Sequence, residues 1–202
     1  MCGSLGHPSK MPGLSYGLSA FKCRTGGKLA EIPGSVCHKC YAQRGHYLYP
    51  SVLRAHEIRH AAIDADLDKW TDDITAKIAA EDTVGFFRWH DAGDIQSPEH
   101  LEAICEVARR LPHINFWLPT KEYDWVAAYP NPFPRNLVVR VSHPMLGKAF
   151  KAPFETKGGS VCTSSVGAGH GYLCPAKEQD GKCGDCRACW SGLVVNVDYY
   201  QH

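Results

Sequence analysis

No stretch of the 202 residues approaches 18 consecutive apolar side chains, and the start, Met1-Cys2-Gly3-Ser4, lacks the apolar core of a signal peptide. The expectation is a cytoplasmic protein with no membrane partner. Charge of one sign is missing too. The chain holds 22 Lys and Arg against 21 Asp and Glu, a formal +1. That balance argues against a dominant basic nucleic-acid face while leaving room for a local patch. There is no internal repeat. The glycines Gly158, Gly159, Gly167, Gly169 and Gly171 follow no phosphate-loop order, so they read as a flexible loop carrying Cys162. Apolar content of 44% is ordinary for a chain with a real core, so small size alone does not call for a metal.

Cysteine is what the chain has in excess: ten residues, eight of them in two groups. The second group, Cys174, Cys183, Cys186 and Cys189, reads C-x8-C-x2-C-x2-C, with Cys162 twelve residues upstream. Three thiolates from one turn of chain, with a fourth from elsewhere, is a ligand pattern of iron–sulfur clusters, and Pro175 after Cys174 fits it. Zinc is the rival, because isolated C-x2-C pairs are its usual pattern. In a cytosolic chain of this size disulfides are disfavoured. One or two 4Fe-4S clusters, with zinc as the alternative, are therefore expected.

The first group is Cys23, Cys37 and Cys40, one ligand short of a closed site. Three readings stay open: a water, substrate or cofactor at the fourth position, completion by Cys162, or no metal. Cys105, in a helical pattern, reads as a buried apolar filler.

Periodicity places one or two helices over 51–80, capped by Ser51, and another from Ser97-Pro98-Glu99 to about Arg110. A short helix is expected at Tyr123–Ala128. Strands are expected near Gly17–Cys23, at Val84–Trp89, Ile114–Leu118 and Leu137–Val141, and finally at Leu193–Val197. Strand alternating with helix implies α/β class and a parallel sheet, whose functional residues lie beyond the carboxyl ends of the strands. His90, Asp91 and Asp94 follow one strand, Thr120, Lys121 and Glu122 the next, and Ser142 and His143 the third. His90, Asp91, Asp94 and Lys121 are the catalytic candidates, with His90 suited to acid–base work by its intrinsic pKa. The carboxylates could equally bind a hard metal, hold a cofactor amine, or cap a helix and pair with Arg88. The expected organisation is a single domain, 1–202, with a cluster-binding segment at 162–190.

Four segments together resemble the phage "gene product 88" family: Gly34-Ser35-Val36-Cys37-His38-Lys39-Cys40-Tyr41-Ala42, Arg88-Trp89-His90-Asp91-Ala92-Gly93-Asp94, Phe116-Trp117-Leu118-Pro119-Thr120-Lys121-Glu122, and Cys174-Pro175-Ala176 through Cys189-Trp190. This resemblance implies a viral origin, hence the cytoplasm of an infected bacterial host. More distantly, the layout is similar to radical S-adenosylmethionine enzymes. That similarity implies a small, incomplete β/α TIM-like barrel, to which the cysteine spacing adds a cysteine-rich C-terminal metal-binding segment. It also implies S-adenosylmethionine as a candidate cofactor, its amine held at Gly93 and Asp94. Cys37 and Cys40 match the last two motif cysteines, and Pro33 stands where the first would be. The substrate is unknown. A rival reading is a metal-stapled binding module contacting nucleic acid or a host protein around Arg44, Arg54 and Arg59.

Overall fold

The apolar spacing between Val52 and Ile78 resolves into two helices in the computed structural model, which describes residues 1–150 and 153–201. Helix α1 covers Arg24–Ala30, α2 Pro50–Ala65, α3 Leu67–Glu81, α4 Pro98–Arg110 and α5 Tyr123–Ala128. Among the described residues the strands are β1 (Leu14–Tyr16), β2 (Phe86–Trp89), β3 (Asn115–Thr120), β4 (Leu137–Ser142), β5 (Phe154–Thr156), β6 (Gly159–Val166), β7 (Tyr172–Leu173) and β8 (Asn196–Tyr199). They make one curled, half-barrel sheet in the order β1-β2-β3-β4-β6-β8-β7, parallel throughout, with β5 as an antiparallel flap on β6. The expected α/β class and partial barrel are found.

Alternation along the central strands sends side chains to two faces. Phe87, Trp89, Phe116, Leu118, Val139 and Val141 join Trp70, Ile74, Ile78, Leu101, Ile104 and Val107 of the helices in the main core. The opposite face, which a closed barrel would enclose, carries Phe86 and Trp117, covered by Ala188, Cys189 and Trp190 of the cysteine-rich segment. That segment runs from β7 to β8, two parallel neighbours, with only the 3-10 turns Pro175–Glu178 and Ala188–Trp190 as regular structure. A crossover between parallel strands is ordinarily a helix. Here it is a cysteine-rich wrap.

Several boundaries differ from expectation. The first strand lies at Leu14–Tyr16 instead of near Gly17–Cys23, which forms a rim loop and a 3-10 turn at Ala20–Lys22. Pro50, not Ser51, opens α2, with Tyr49 as the cap residue, because proline suits the first helical position. The glycine-rich stretch expected as loop contains β6, which places Cys162 mid-strand. The last strand starts at Asn196, and Leu193 is 95% exposed.

Candidate metal centres

The ends of β2 and β3 meet through Asp94. Its buried carboxylate accepts from Thr120 Oγ1 (2.6 Å), the Lys121 amide (2.9 Å) and the Ile95 amide (2.8 Å). Burial raises its pKa to about 6 against the pull of those donors. Gly93 has φ 82°, and a Cβ there would stand 2.7 Å from Leu18 Cβ, so only glycine lets this rim close on the loop after β1. Gly93 and Asp94 thus have protein partners where the resemblance implies a cofactor amine.

Beside Asp94 sit the three thiols of the first group. Burial pushes the Cys23 thiol well up, with Asp94, Cys40 and Cys37 adding to it and Lys121 opposing. Cys37 is raised by burial too, again with Lys121 pulling the other way. A methyl built on Gly26 would lie 3.6 Å from Cys37 Sγ and 3.7 Å from Cys23 Sγ, so the two sulfurs flank one point. The Cys23 turn is held by Glu122, whose fully buried carboxylate accepts from Arg24 Nε (2.8 Å), the Thr25 amide (3.0 Å) and Thr25 Oγ1 (2.8 Å). Carboxylates favour a helix start for this reason. The sequence reading placed Glu122 at the rim without giving it this task.

The C-terminal thiols gather on the sheet face lined by Phe86 and Trp117. Cys183 is raised by burial and then by Cys174 and Cys186. Burial takes Cys189 to about 11, against a hydrogen bond with Tyr199 OH at 3.2 Å. Tyr172 OH stands 3.4 Å from Cys186 Sγ. Gly184, at φ 51°, makes the turn that brings Cys183 and Cys186 together. Two guanidinium groups lie close by. Arg140 is fully buried and donates to the carbonyls of Thr163 (2.8 Å), Val194 (3.0 Å), Val195 (3.4 Å), Ala188 (3.1 Å) and Ser191 (3.2 Å). Arg88 lies over the Trp117 ring at 4.5 Å, its contacts to Tyr41 OH (3.5 Å) and Met11 Sδ (3.9 Å) being long. The buried Nε of each lacks a partner, and neither is paired with a carboxylate among the described residues.

The remaining site residues lie elsewhere. His90 (φ 55°) points its ring into the helix-side core, with Nδ1 3.2 Å from Tyr16 O and the His100 ring 5.5 Å away. Burial lowers its pKa to about 4, which keeps it neutral. Asp91 accepts from Tyr47 OH at 3.3 Å and, through its carbonyl, from Tyr41 OH. Cys162 is brought to neither thiol group. Its sulfur lies 3.7 Å from Gly192 O, and it lines a shallow cavity of about 180 Å³ at the amino ends of β4 and β6. Among the described residues no set of three or more His, Cys, Asp or Glu side chains already stands in metal-holding geometry, and no helix is long and apolar enough to cross a membrane.

No curated protein and no solved structure matched the chain. The rim segments, the strand ends and the cysteine wrap nevertheless fall together inside one family model, described as Gene product 88, which matches residues 9–192, and the chain therefore belongs to the gene product 88 family.

Proposed function

We propose that this is an iron–sulfur protein with two thiolate centres: a closed one ligated by Cys174, Cys183, Cys186 and Cys189, and an open one at the rim ligated by Cys23, Cys37 and Cys40. The observation that carries the reading is charge. Arg140, fully buried, and Arg88, half-buried, lie near the C-terminal thiols. Neither makes an ion pair with a carboxylate among the described residues, Asp91 acting on Arg88 only from a distance. A buried cation without a counter-ion, as Arg140 is, is strongly unfavourable. Four neutral thiols supply no negative charge, whereas a tetrathiolate cluster supplies it where the guanidinium groups lie. Zinc bound by four thiolates satisfies the same argument; the crowded C-x2-C-x2-C spacing favours the cluster.

At the rim, Cys23 and Cys37 lie beside the Lys121 ammonium with Cys40 next to both. Three sulfur ligands would leave one metal position for a small ligand or substrate, the incomplete shell that a catalytic metal uses. A second reading is favoured by the occupied states of His90 and Asp94. In it both centres are structural staples, and the protein is a binding module.

Anaerobic purification followed by iron and acid-labile sulfide determination tests the proposal. About four of each per centre are expected. Cys186→Ala removes one centre and Cys37→Ala the other. Stoichiometric zinc without sulfide replaces iron by zinc in the reading, and full metal content in both variants overturns the ligand assignment. A shift in the rim centre's electron paramagnetic resonance on adding S-adenosylmethionine supports an open iron. Silence there favours the stapled module.

A further inference from the structure

Between Glu31 and Glu57 the chain has no acidic residue. This stretch forms the outer wall of the rim and carries Cys37 and Cys40 within it. Lys39, Arg44 and Arg54 are exposed along it, as are His38 and His46. Among the described residues none of these three cations is paired with a carboxylate. Several exposed cations elsewhere are neutralised locally, as with Arg109 by Glu102 and Glu106, Arg110 by Asp72, and Lys69 by Asp73, while others such as Lys28, Lys177 and Lys182 stand singly and without an aromatic run beside them. The whole chain is only +1, so the positive charge of this wall is set against a net negative remainder.

Aromatic surface is interleaved with the cations. Tyr41 is 47% exposed, Tyr49 54% and Leu48 45%. Each ring is braced from one side: Tyr41 edge-on to Tyr47 at 5.7 Å, Tyr49 edge-on to His46 at 5.1 Å. Arg44 is fixed against the cysteine turn by the carbonyls of Lys39 and Cys40, the latter at 3.3 Å from Nε. Unpaired cations spaced along a surface suit a phosphate backbone, and rigid exposed rings between them suit unstacked bases. A duplex hides its bases and would use only the cations.

We infer that the wall formed by residues 32–56 is a docking surface for single-stranded nucleic acid, held through phosphates by Lys39, Arg44 and Arg54 and by base stacking on Tyr41 and Tyr49. A strand lying there passes the rim thiols, because Tyr41 directly follows Cys40. The inference does not depend on whether those thiols hold iron.

The test is fluorescence anisotropy of the intact protein with a labelled mixed-sequence single-stranded oligonucleotide over a salt series. Three phosphate contacts give a slope of log affinity on log salt of about −2. The variant Lys39→Gln/Arg44→Gln/Arg54→Gln is expected to flatten that slope and lose at least about tenfold in affinity at low salt. Tyr49→Ala is expected to weaken binding at every salt concentration with the slope retained. All four side chains are exposed, and circular dichroism of each variant checks that the fold is kept. Salt-independent binding, or a triple variant that binds like the parent, overturns the inference, as does equal affinity for polyglutamate. Metal content measured on the same samples separates this outcome from failure of the iron–sulfur reading.

Discussion

Glu122 governs the geometry of the rim more than any charged residue the sequence pointed to. Its carboxylate binds a helix start 98 residues away in the chain and thereby sets where Cys23 stands. Glu122→Gln keeps the volume and removes the charge, leaving the Thr25 amide and hydroxyl to compete for one oxygen. The expected cost is about 1–3 kcal/mol. Arg24 is 42% exposed, so its ion pair adds little to that figure. If both centres hold metal as proposed, the variant should lose rim metal preferentially while the C-terminal centre keeps its own. Separate spectroscopic titration of the two centres in the variant checks this, and equal loss from both would contradict a positioning role. The partners of Glu122 were unreadable because nothing local in Thr120-Lys121-Glu122 points toward Arg24 and Thr25. Arg140 was silent for the same reason: within a strand it is one polar residue, and the five carbonyls it gathers come from β6 and the distant wrap. The cysteines, whose chemistry is written in short spacings, were legible as groups, and the structure brings Cys174, Cys183 and Cys186 close to one another. Cys162 followed no such spacing and lies apart.

Helix α4 was legible almost to the residue, and its start shows why. Ser97 and Pro98 are neighbours in sequence, and Ser97 Oγ accepts from the His100 amide at 3.1 Å. Ser97→Ala should therefore cost about 1 kcal/mol in urea denaturation. Retention of full stability would mean that water replaces the cap at no cost. Helix α1 was not legible, since Arg24-Thr25-Gly26-Gly27 is a poor helix start by propensity and is held by a tertiary carboxylate. Strand β6 was hidden for a related reason. Its Ser and Thr residues read as loop, but Thr163 and Ser165 are buried against the polar side chains of β8, with Thr163 Oγ1 2.9 Å from Asn196 Oδ1 and Ser165 Oγ 2.8 Å from Asp198 Oδ1. Hydrogen bonding between strands did there what apolar alternation does in β3 and β4.

For the molecule as a whole, four buried histidines make stability depend on pH. His60 and His90 fold with pKa values lowered by burial from 6.5 to about 4, and His56 and His100 are shifted the same way. As the pH falls below 6.5 the unfolded chain takes up these protons first. Stability fully present above that value is then lost progressively toward about pH 4. Asp94, raised from 3.8 to about 6, acts in the opposite sense, since the folded state binds its proton first. Four groups against one leave a net loss on acidification, and if the thiolates hold metal as proposed, their protonation would add to it. Urea midpoints at about pH 7 and about pH 5 measure it; a midpoint that rises with acid would refute the assignment, and His90→Gln should flatten the dependence. The crossover from β7 to β8 carries a consequence of another kind. Where a parallel pair usually has a self-supporting helix, this chain has an irregular wrap with exposed Lys177 and Lys182 in it. On the proposed reading its rigidity comes from the metal that ties the four sulfurs together. Stripped of that tie, the wrap should become the first place a protease enters. Brief trypsin digestion of chelator-treated and untreated protein should cut within 177–187 in the first sample only. Susceptibility to digestion would thus serve as a gauge of how fully the centre is loaded.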